Sequence, residues 1–345
     1  NSSHRILMSA TTQDDAFFIK GLDFSVDAVK NPLINNNQIW SGEKMLILPQ
    51  LVDDSLDQKL VVTRLMRAKH DGFGIVSIVP NTKKADYYSK QGGIITNSNN
   101  IFKEIDKLKK GEFNKILVVN NRYDGIDLPD ETCRILIIDS KPYFENLCDR
   151  YEELCRPDSD IINKKIAQQI EQGLGRGVRG EKDFCVILII GNDIVKFMRS
   201  IETRKYFSEQ TRKQIDIGLD ISELAKDDVK NGEEPFKSLV GLINQCLGRV
   251  DDWKMFYTSK MNGLSKNEQS LIDYTVLEKE RNIEKYFLQE EYEKAYALTQ
   301  EFIDENTEMN DCDKRNMCND SSLKWNESKG NRRKSWTCIG DCDDR

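Results

Sequence analysis

The sequence predicts an α/β protein built on a doubly wound parallel sheet. Residues 44–192 contain six short apolar runs, rich in Val, Ile and Leu, that do not alternate with polar residues. Continuous apolar runs are typical of strands that are covered on both faces, and amphipathic segments separate them here. Alternation of such strands and helices indicates a parallel sheet with helices on both faces. The runs are 45–48, 75–79, 93–96, 116–119, 135–138 and 185–190.

The segments between these runs, and the region after them, have helical periodicity. Residues 60–69 are amphipathic, and so are residues 100–110, which end just before Gly111, a residue type common after a helix C-terminus. After about residue 200 the strand-like runs stop, and apolar residues recur at helical spacing through 201–305. The sequence therefore predicts a helical region after the sheet.

Length and composition restrict the class of protein. The 345 residues suffice for one large domain or two ordinary ones, and 38% hydrophobic with 32% charged residues is typical of a soluble protein. No apolar run approaches the roughly 20 residues that span a bilayer, and the N-terminus lacks the layout of a signal peptide. We expect a cytoplasmic protein without a membrane segment. Because the chain begins without methionine and runs straight into an apolar segment, we also expect that it starts within a longer protein.

Charge and cysteine content exclude few functions. A net charge of −7 argues against a surface coated with positive charge, but a basic groove for nucleic acid remains compatible with it. Five of the nine cysteines lie in apolar or helical surroundings without ligand-like spacing, which predicts buried thiols in a reducing compartment. With only two histidines, a zinc site would have to be nearly all thiolate. No metal site is predicted.

The strongest signal for chemistry is the segment 172–179, which reads QGLGRGVR. Arg176 and Arg179 are three residues apart, a spacing that on one helical face presents two guanidinium groups in the same direction. Such groups stabilise the charge that spreads over a phosphoryl group during its transfer. The glycines are expected to let the backbone approach an opposing domain closely. The alternative is a solvated basic turn.

A second signal is the segment 121–129, NRYDGIDLP, which directly follows an apolar run. Parallel sheets bind ligands at the carboxyl ends of their strands, so Gly125 and Asp127 are candidate ligand-binding residues. The tripeptide 125–127 alone could be an ordinary turn. It stands 45 residues before Gln172, with a predicted strand between the two, and this order strengthens the functional interpretation.

Two weaker signals flank these segments. Ser9, Ala10 and Thr11 follow an apolar segment at the head of the chain. The segment 78–84 reads as a strand that ends in a polar helix start, where the hydroxyl of Thr82 and backbone N–H groups could bind phosphate and where two lysines add charge. A simple capped helix is the alternative.

Two signatures of nucleotide hydrolysis are not present in the sequence. No G-x-x-x-x-G-K-[ST] segment occurs, and no apolar strand is followed by a D-E-x-[HD] segment. The run 136–139 ends in Asp139, but Ser140 follows where a second acidic residue would be needed, so we interpret this run as a core strand. This polypeptide is not expected to hydrolyse ATP by itself.

Together these segments resemble the motifs of superfamily 2 helicases. The Q-x-x-G-R-x-x-R pattern at 172–179 is similar to motif VI, residues 121–129 to motif V, Ser9-Ala10-Thr11 to motif III, and 78–84 to motif IV. The set resembles the C-terminal motor domain of the Rad-type and DinG-type branch of DEAD/DEAH helicases, which includes bacterial proteins found among phage-defence genes. The resemblance covers about residues 5–200.

The resemblance implies an α/β RecA-like fold, the second helicase domain of the P-loop NTPase type, and a division into four parts. Residues 1–11 would be the last strand of a first RecA-like domain, whose remainder would be missing. Residues 12–200 would be the second RecA-like domain, and 201–310 a helical accessory region. Residues 311–345 have little apolar periodicity, which predicts a disordered tail; a frameshifted tail is the alternative.

The resemblance also implies roles for individual residues. Arg176 and Arg179 would contact the γ-phosphate of ATP, and Gln172 would position nucleotide or water. Gly125, Asp127 and Gly175 would bind nucleotide, Asp127 on the ribose side. Thr82, Asn121 and Arg122 would contact nucleic acid, and Ser9, Ala10 and Thr11 would couple hydrolysis to movement.

The implied partners are ATP with Mg²⁺, whose ligands would lie mostly in the missing first motor domain, and a single strand of DNA or RNA, with DNA favoured. Whether that first domain carries an iron–sulfur cluster stays open. We therefore expect the C-terminal half of an ATP-dependent helicase or translocase. The alternatives are a non-catalytic nucleic-acid-binding or regulatory module, and the motor subunit of a restriction or phage-defence system.

Overall fold

The computed structural model describes two compact units, Asn36–Glu268 and a second unit formed by Asn1–Asn35 with Gln269–Arg345. The described residues are 6, 17–31, 33, 40–68, 72–123, 125–144, 146–155, 159–178, 180, 182–264 and 274–305. The predictions for Ser9, Ala10 and Thr11, for Arg179 and for the tail 311–345 fall outside these residues.

The unit Asn36–Glu268 is built around a parallel sheet, which confirms the predicted fold class. Its described residues form six strands in the order β1-β6-β5-β2-β4-β3, and every neighbouring pair is parallel. The strands are β1 (Glu43–Ile47), β2 (Ile75–Val79), β3 (Ile94–Ile95), β4 (Leu117–Asn120), β5 (Ile135–Asp139) and β6 (Phe184–Ile190). Each predicted apolar run therefore overlaps one strand.

Helices of the same unit connect and flank these strands, and the second unit contains further helices. The helices are α1 (Val26–Lys30), α2 (Pro49–Val52), α3 (Gln58–Arg67), α4 (Thr82–Lys90), α5 (Ile101–Lys109), α6 (Leu147–Cys155), α7 (Asp160–Leu174), α8 (Asn192–Arg199), α9 (Ile201–Arg204), α10 (Glu209–Lys230), α11 (Pro235–Leu247), α12 (Asp251–Met261), α13 (Tyr274–Leu288) and α14 (Tyr292–Glu305). A π-helix covers Phe17–Gly21, and a 3₁₀ helix covers Asp130–Cys133.

The sheet is buried on both faces, which explains why its strands lack polar alternation. Successive residues of the central strand β5 point to opposite sides. Leu136 and Ile138 join a core with α5, α7 and α8, whereas Ile135 and Ile137 join a core with α3, α4 and α10–α12. These two layers of helices hold the strand ends, and the loops that follow them, in fixed positions.

Helix α10 packs directly on the edge strand β1. A Cβ atom on Gly218 would lie 2.7 Å from the carbonyl oxygen of Leu46, so this helix and strand approach closely only because residue 218 is glycine. At the start of the same strand, Glu43 accepts hydrogen bonds from Arg249 and from the indole nitrogen of Trp253. The boundary predicted at residue 200 thus falls inside the unit Asn36–Glu268.

The second unit contains a pair of helices, α13 and α14. Ile283, Ala295 and Phe302 are buried, and the rings of Phe287 and Tyr292 meet edge to face at 5.6 Å between their centroids. No helix among the described residues is both long enough and apolar enough to cross a bilayer.

The cysteine prediction is only partly right. Cys133, Cys185 and Cys246 are buried thiols, but Cys148 and Cys155 are exposed. Both exposed residues belong to α6, which also exposes Leu147 and Leu154. The burial of these two positions was overestimated because an apolar helical pattern does not reveal which helices pack on only one side.

Candidate nucleotide and nucleic-acid site

The loop after β4, residues 121–129, is called the motif V loop below. Its first residue, Asn121, has a φ of 45°, a left-handed conformation that asparagine tolerates better than most residues. Its backbone N–H donates to the carbonyl oxygen of Val79 at 2.7 Å, at the end of the neighbouring strand β2. Helix α4 begins there with Thr82. The structure therefore brings Thr82 and Asn121 to adjacent strand ends.

Helix α4 has a well-formed N-terminus at this edge. The side chain of Asn81 accepts a hydrogen bond from the backbone N–H of Lys84 at 3.0 Å and caps the helix. Thr82 and Lys83 are exposed just after this cap. The arrangement leaves room for an anion at the first turn, while it is equally the capped helix considered as the alternative.

Lys84 does not supply positive charge to this edge of the sheet, contrary to the expectation from the sequence. Its ammonium group lies 3.2 Å from a carboxylate oxygen of Asp139, which is fully buried at the end of β5. Tyr88, Ser140 and Gln58 also donate hydrogen bonds to this carboxylate. Asp139 thus lies at the end of a core strand, as interpreted from the sequence, and it turns Lys84 inward.

Arg122 is half-buried in the motif V loop. Within the described part of the chain it makes no ion pair, and Asp127 is exposed on the same loop. Asn120, which sequence reasoning missed, ends β4 with its side-chain Oδ1 atom buried and without a hydrogen-bond partner among the described residues. A polar residue at the end of an apolar strand was the only signal that could have indicated it.

Arg176 contacts the motif V loop directly. Its Nε atom donates to the carbonyl oxygen of Tyr123 at 2.7 Å, and its Nη1 atom donates to that of Ile126 at 3.0 Å. Helix α7 ends at Leu174 with Gly175 as its C-cap, so Arg176 lies in the following turn. The prediction that it projects from a helical face is therefore wrong, because the helix stops two residues earlier.

The glycines of this segment also act differently from the expectation. A Cβ atom on Gly173 would lie 2.8 Å from the Cδ1 atom of Tyr123, and one on Gly177 would lie 2.5 Å from the sulfur of Cys185. These two glycines permit close packing inside their own domain, rather than an approach to an opposing one. A Cβ atom on Gly175 would make only ordinary contacts, 3.4 Å or more away.

A cleft of about 410 Å³ lies beside the motif V loop. Gly125, Ile126, Asp127 and Arg176 form one side of it. Gly125 adopts a φ of 69°, a conformation that favours glycine, and it is exposed. Helix α5 forms the other side with Phe102, Ile105, Asp106 and Lys109. The predicted nucleotide-binding residues Gly125, Asp127 and Arg176 thus share one cleft, while Gln172 is half-buried in the last turn of α7.

A buried charged group supports the end of α7 and was also missed by sequence reasoning. Glu171 accepts hydrogen bonds from the backbone N–H and the hydroxyl of Ser208, at 2.8 and 2.6 Å, and Ser208 caps α10. Burial raises the pKa of Glu171. Burial also lowers the pKa of Lys44 to about 8, which the nearby Glu171 carboxylate partly offsets. These residues connect the predicted motif VI to the helical layer.

No group of three or more His, Cys, Asp and Glu side chains in the described part of the chain is arranged to hold a metal ion. The expectation that Mg²⁺ ligands lie mostly in another domain stays a prediction.

Residues 78–214 match the sequence profile of the family described as helicase C-terminal domain. This segment is similar to a helicase C-terminal domain. It includes Thr82, the motif V loop, Gln172 and Arg176, so the match supports a helicase-type domain around the candidate site. Among curated proteins, none matches the chain.

A solved structure titled "XPD_APO" is similar in fold to part of the chain. Its sequence is 13% identical, the TM-score is 0.34, and the alignment covers 48% of this chain and 38% of that one. The chain thus spans well under half of that structure's length. The branch of helicases, the substrate and the partner domain remain predictions.

Proposed function

We propose that this chain is the second motor domain of an ATP-dependent helicase or translocase that acts on DNA. The observation that carries the proposal is the pair of hydrogen bonds from Arg176 to the motif V loop. The same loop begins at Asn121, against the end of β2. The candidate nucleotide-binding and nucleic-acid-binding residues are therefore joined by one loop of nine residues.

The nucleotide side of the proposal uses Asp127 of the cleft and two residues of the segment 172–179, besides Arg176. ATP, when bound, supplies the phosphoryl group that water attacks. Arg179 stabilises the negative charge that develops on that group, and Gln172 orients the nucleotide or the water. Asp127 accepts a hydrogen bond from the ribose. A cleft of about 410 Å³ lies within the usual range of about 300–1,000 Å³ for small-molecule sites.

Arg176 has a modified role in this proposal. Its guanidinium group already bonds two carbonyl oxygens of the motif V loop, so it holds that loop against α7 and reaches toward phosphate from there. If a bound phosphate, or phosphate released by hydrolysis, displaces Arg176, the loop moves with it as far as Asn121. This is a direct mechanical link between hydrolysis and nucleic-acid contact.

The nucleic-acid side uses Thr82, Asn121 and Arg122 at the carboxyl ends of β2 and β4. A motor that moves along a strand must pass every base, so these residues contact backbone phosphate. The hydroxyl and N–H groups at the start of α4 suit a phosphate oxygen. The guanidinium group of the half-buried Arg122 supplies the positive charge. Replacing Arg122 is therefore the main test of the nucleic-acid side.

The test is a fluorescence titration of the chain with three single-stranded DNA oligonucleotides of unrelated sequence at several salt concentrations. Arg122→Ala should weaken binding about equally for all three, and should reduce the slope of log K against log salt by roughly 0.7, the value for one phosphate on a single strand. Asn121→Ala should weaken binding without changing the slope.

Arg199→Ala is the matched control, because it removes the same charge from an exposed position in the last turn of α8, away from these strand ends. It should leave both affinity and slope nearly unchanged. Weakening of only one oligonucleotide would indicate base readout, and an Arg122 variant that binds like the control would refute the assignment.

The rival function, a non-catalytic nucleic-acid-binding module, is distinguished by Arg179. In a protein that joins this chain to a domain with a P-loop, Arg179→Ala should lower kcat by about 10³–10⁵, with a small change in nucleotide affinity. A variant with unchanged kcat would favour the module.

A further inference from the structure

Helix α5 presents three unassigned side chains to the cleft beside the motif V loop. Phe102, Asp106 and Lys109 stand at positions i, i+4 and i+7, so they follow one another along a single face of the helix. The opposite wall carries Asp127 and Arg176. The site assigned so far therefore uses only one wall of a two-walled cleft.

Phe102 is 62% exposed, whereas most aromatic residues of the sheet unit are buried or half-buried. The helix that carries it is firmly anchored, since Ile101, Ile105 and Leu108 on the neighbouring side of the helix are all buried in the core. An exposed aromatic ring on a rigid helix, at the rim of a cleft, is a platform on which a planar base can stack.

The charges in the cleft decide between a nucleotide and a nucleic-acid strand. Asp106 and Asp127 are both exposed there, and together they balance Lys109 and Arg176, so the cleft has no net positive charge. Two carboxylates repel a phosphodiester backbone, which needs an excess of cations. They accept hydrogen bonds readily from the free hydroxyl groups of a ribose, which a mononucleotide offers and an internal DNA nucleotide does not.

The order and spacing of these groups also match a nucleotide. With a rise of about 1.5 Å per residue, Phe102 and Lys109 are separated by about 10 Å along the helix, and Asp106 lies between them. An extended nucleoside diphosphate has its base, its ribose and its terminal phosphates in the same order and over a similar length. An aromatic ring, a carboxylate and an ammonium group are the matching partners.

We infer that α5 forms the second wall of a mononucleotide site: Phe102 stacks on the base, Asp106 binds a ribose hydroxyl, and Lys109 binds a phosphate. The inference rests on the proposed nucleotide site at the motif V loop, and it extends that site to residues for which the resemblance assigned no role.

The experiment is a titration of the isotope-labelled chain, followed by amide resonances in NMR spectra, with three separate probes: adenosine, ADP and inorganic pyrophosphate. Adenosine and ADP should shift resonances at the start of α5 and at 125–127. Phe102→Ala should weaken ADP binding by about 5- to 150-fold, the range for loss of one stacked base, and should leave pyrophosphate binding unchanged.

Three variants check the order of the groups. Asp106→Asn should weaken adenosine and ADP but not pyrophosphate, whereas Lys109→Ala should weaken ADP and pyrophosphate but not adenosine. Met255→Ala is the matched control, because Met255 on α12 is 64% exposed and lies outside the cleft; it should bind all three probes like the wild type. All of these positions are exposed, so far-ultraviolet circular dichroism should show every variant folded.

A fourth titration uses a single-stranded oligodeoxythymidine. If it shifts the same α5 resonances, and Phe102→Ala weakens the oligonucleotide but not ADP, the cleft binds nucleic acid and the inference is overturned. ADP shifts confined to other parts of the chain, or ADP affinity unaffected by Phe102→Ala, would overturn it as well. If Arg122→Ala reduces the salt slope as proposed but Phe102→Ala does not weaken ADP binding, the proposed function stands and only the role of α5 is refuted.

Discussion

Replacing Gly173 by alanine tests the packing between α7 and the motif V loop. Alanine in a helix ordinarily stabilises by up to about 1 kcal/mol relative to glycine. At this position, however, the new Cβ atom would lie 2.8 Å from the Cδ1 atom of Tyr123 and 3.3 Å from that of Ile138. Both neighbours are buried, so the ring and the loop must move together.

The magnitude follows from these two opposing effects. Overpacking of a tight core typically costs about 1–3 kcal/mol, so the net effect of Gly173→Ala should be a loss of about 0–2 kcal/mol. Gly175→Ala is the matched control two residues away. Its Cβ atom would be 3.4 Å or more from its neighbours, at a φ of −77° that any residue adopts, and it should stabilise by about 0.4–1 kcal/mol.

The assay is urea unfolding of the chain, followed by tryptophan fluorescence and circular dichroism. We expect the free energy of unfolding of the Gly173 variant to be about 0.4–3 kcal/mol lower than that of the Gly175 variant. The Gly173 variant should also show faster hydrogen exchange in the motif V loop, because a shift of the Tyr123 ring displaces the backbone of the same residue, whose carbonyl oxygen Arg176 binds. Equal stability of the two variants would refute the packing argument.

Three further predictions test the supporting network. Arg176→Gln removes a charged donor from two carbonyl oxygens and should speed amide exchange in the motif V loop at least about tenfold, since one such bond contributes about 1.5–3 kcal/mol; unchanged exchange would contradict the role of Arg176. Lys44 has its pKa lowered by burial from 10.5 to about 8, so between these pH values the unfolded chain binds more protons and stability rises with pH. Relative to Lys44→Met, the wild type should gain roughly 3 kcal/mol between pH 7 and 11 in urea unfolding, and parallel pH profiles would refute the burial. Asp139→Asn removes the carboxylate from the ammonium group of Lys84, which is about one-third exposed and also bonds Gln58, and should cost about 1–3 kcal/mol by the same assay, whereas a loss below 1 kcal/mol would show that the pair is replaceable.

The sequence alone determined the sheet, because each parallel strand is covered on both faces and is therefore continuously apolar. The run 75–79 coincides with β2, and the other five predicted runs differ from their strands by one or two residues at an end. The run 93–96 contains the shortest strand, since only Ile94 and Ile95 pair as the edge strand β3 before the turn at Asn97 begins. The positions of the motif V loop and of residues 172–178 were likewise readable from local spacing.

Tertiary structure decided how the residues of the site are used. Lys84 pairs with Asp139 and not with a ligand at the strand ends, and Arg176 bonds carbonyl groups of the motif V loop. Backbone carbonyl groups carry no sequence signal, so no spacing rule could have indicated the partners of Arg176. The same holds for Gly173, whose neighbour Tyr123 lies 50 residues earlier in the chain.

The boundary predicted at residue 200 also depends on tertiary packing, which local sequence patterns do not reveal. The periodicity of α10 indicates a helix with one apolar face, but it does not reveal that this face packs on β1. Burial depends on which surfaces meet, and these surfaces come from residues more than 150 positions apart. Local patterns specify strands and helices because their periods are short, whereas contacts such as those of Gly218, Lys44 and Arg176 exist only once the chain has folded.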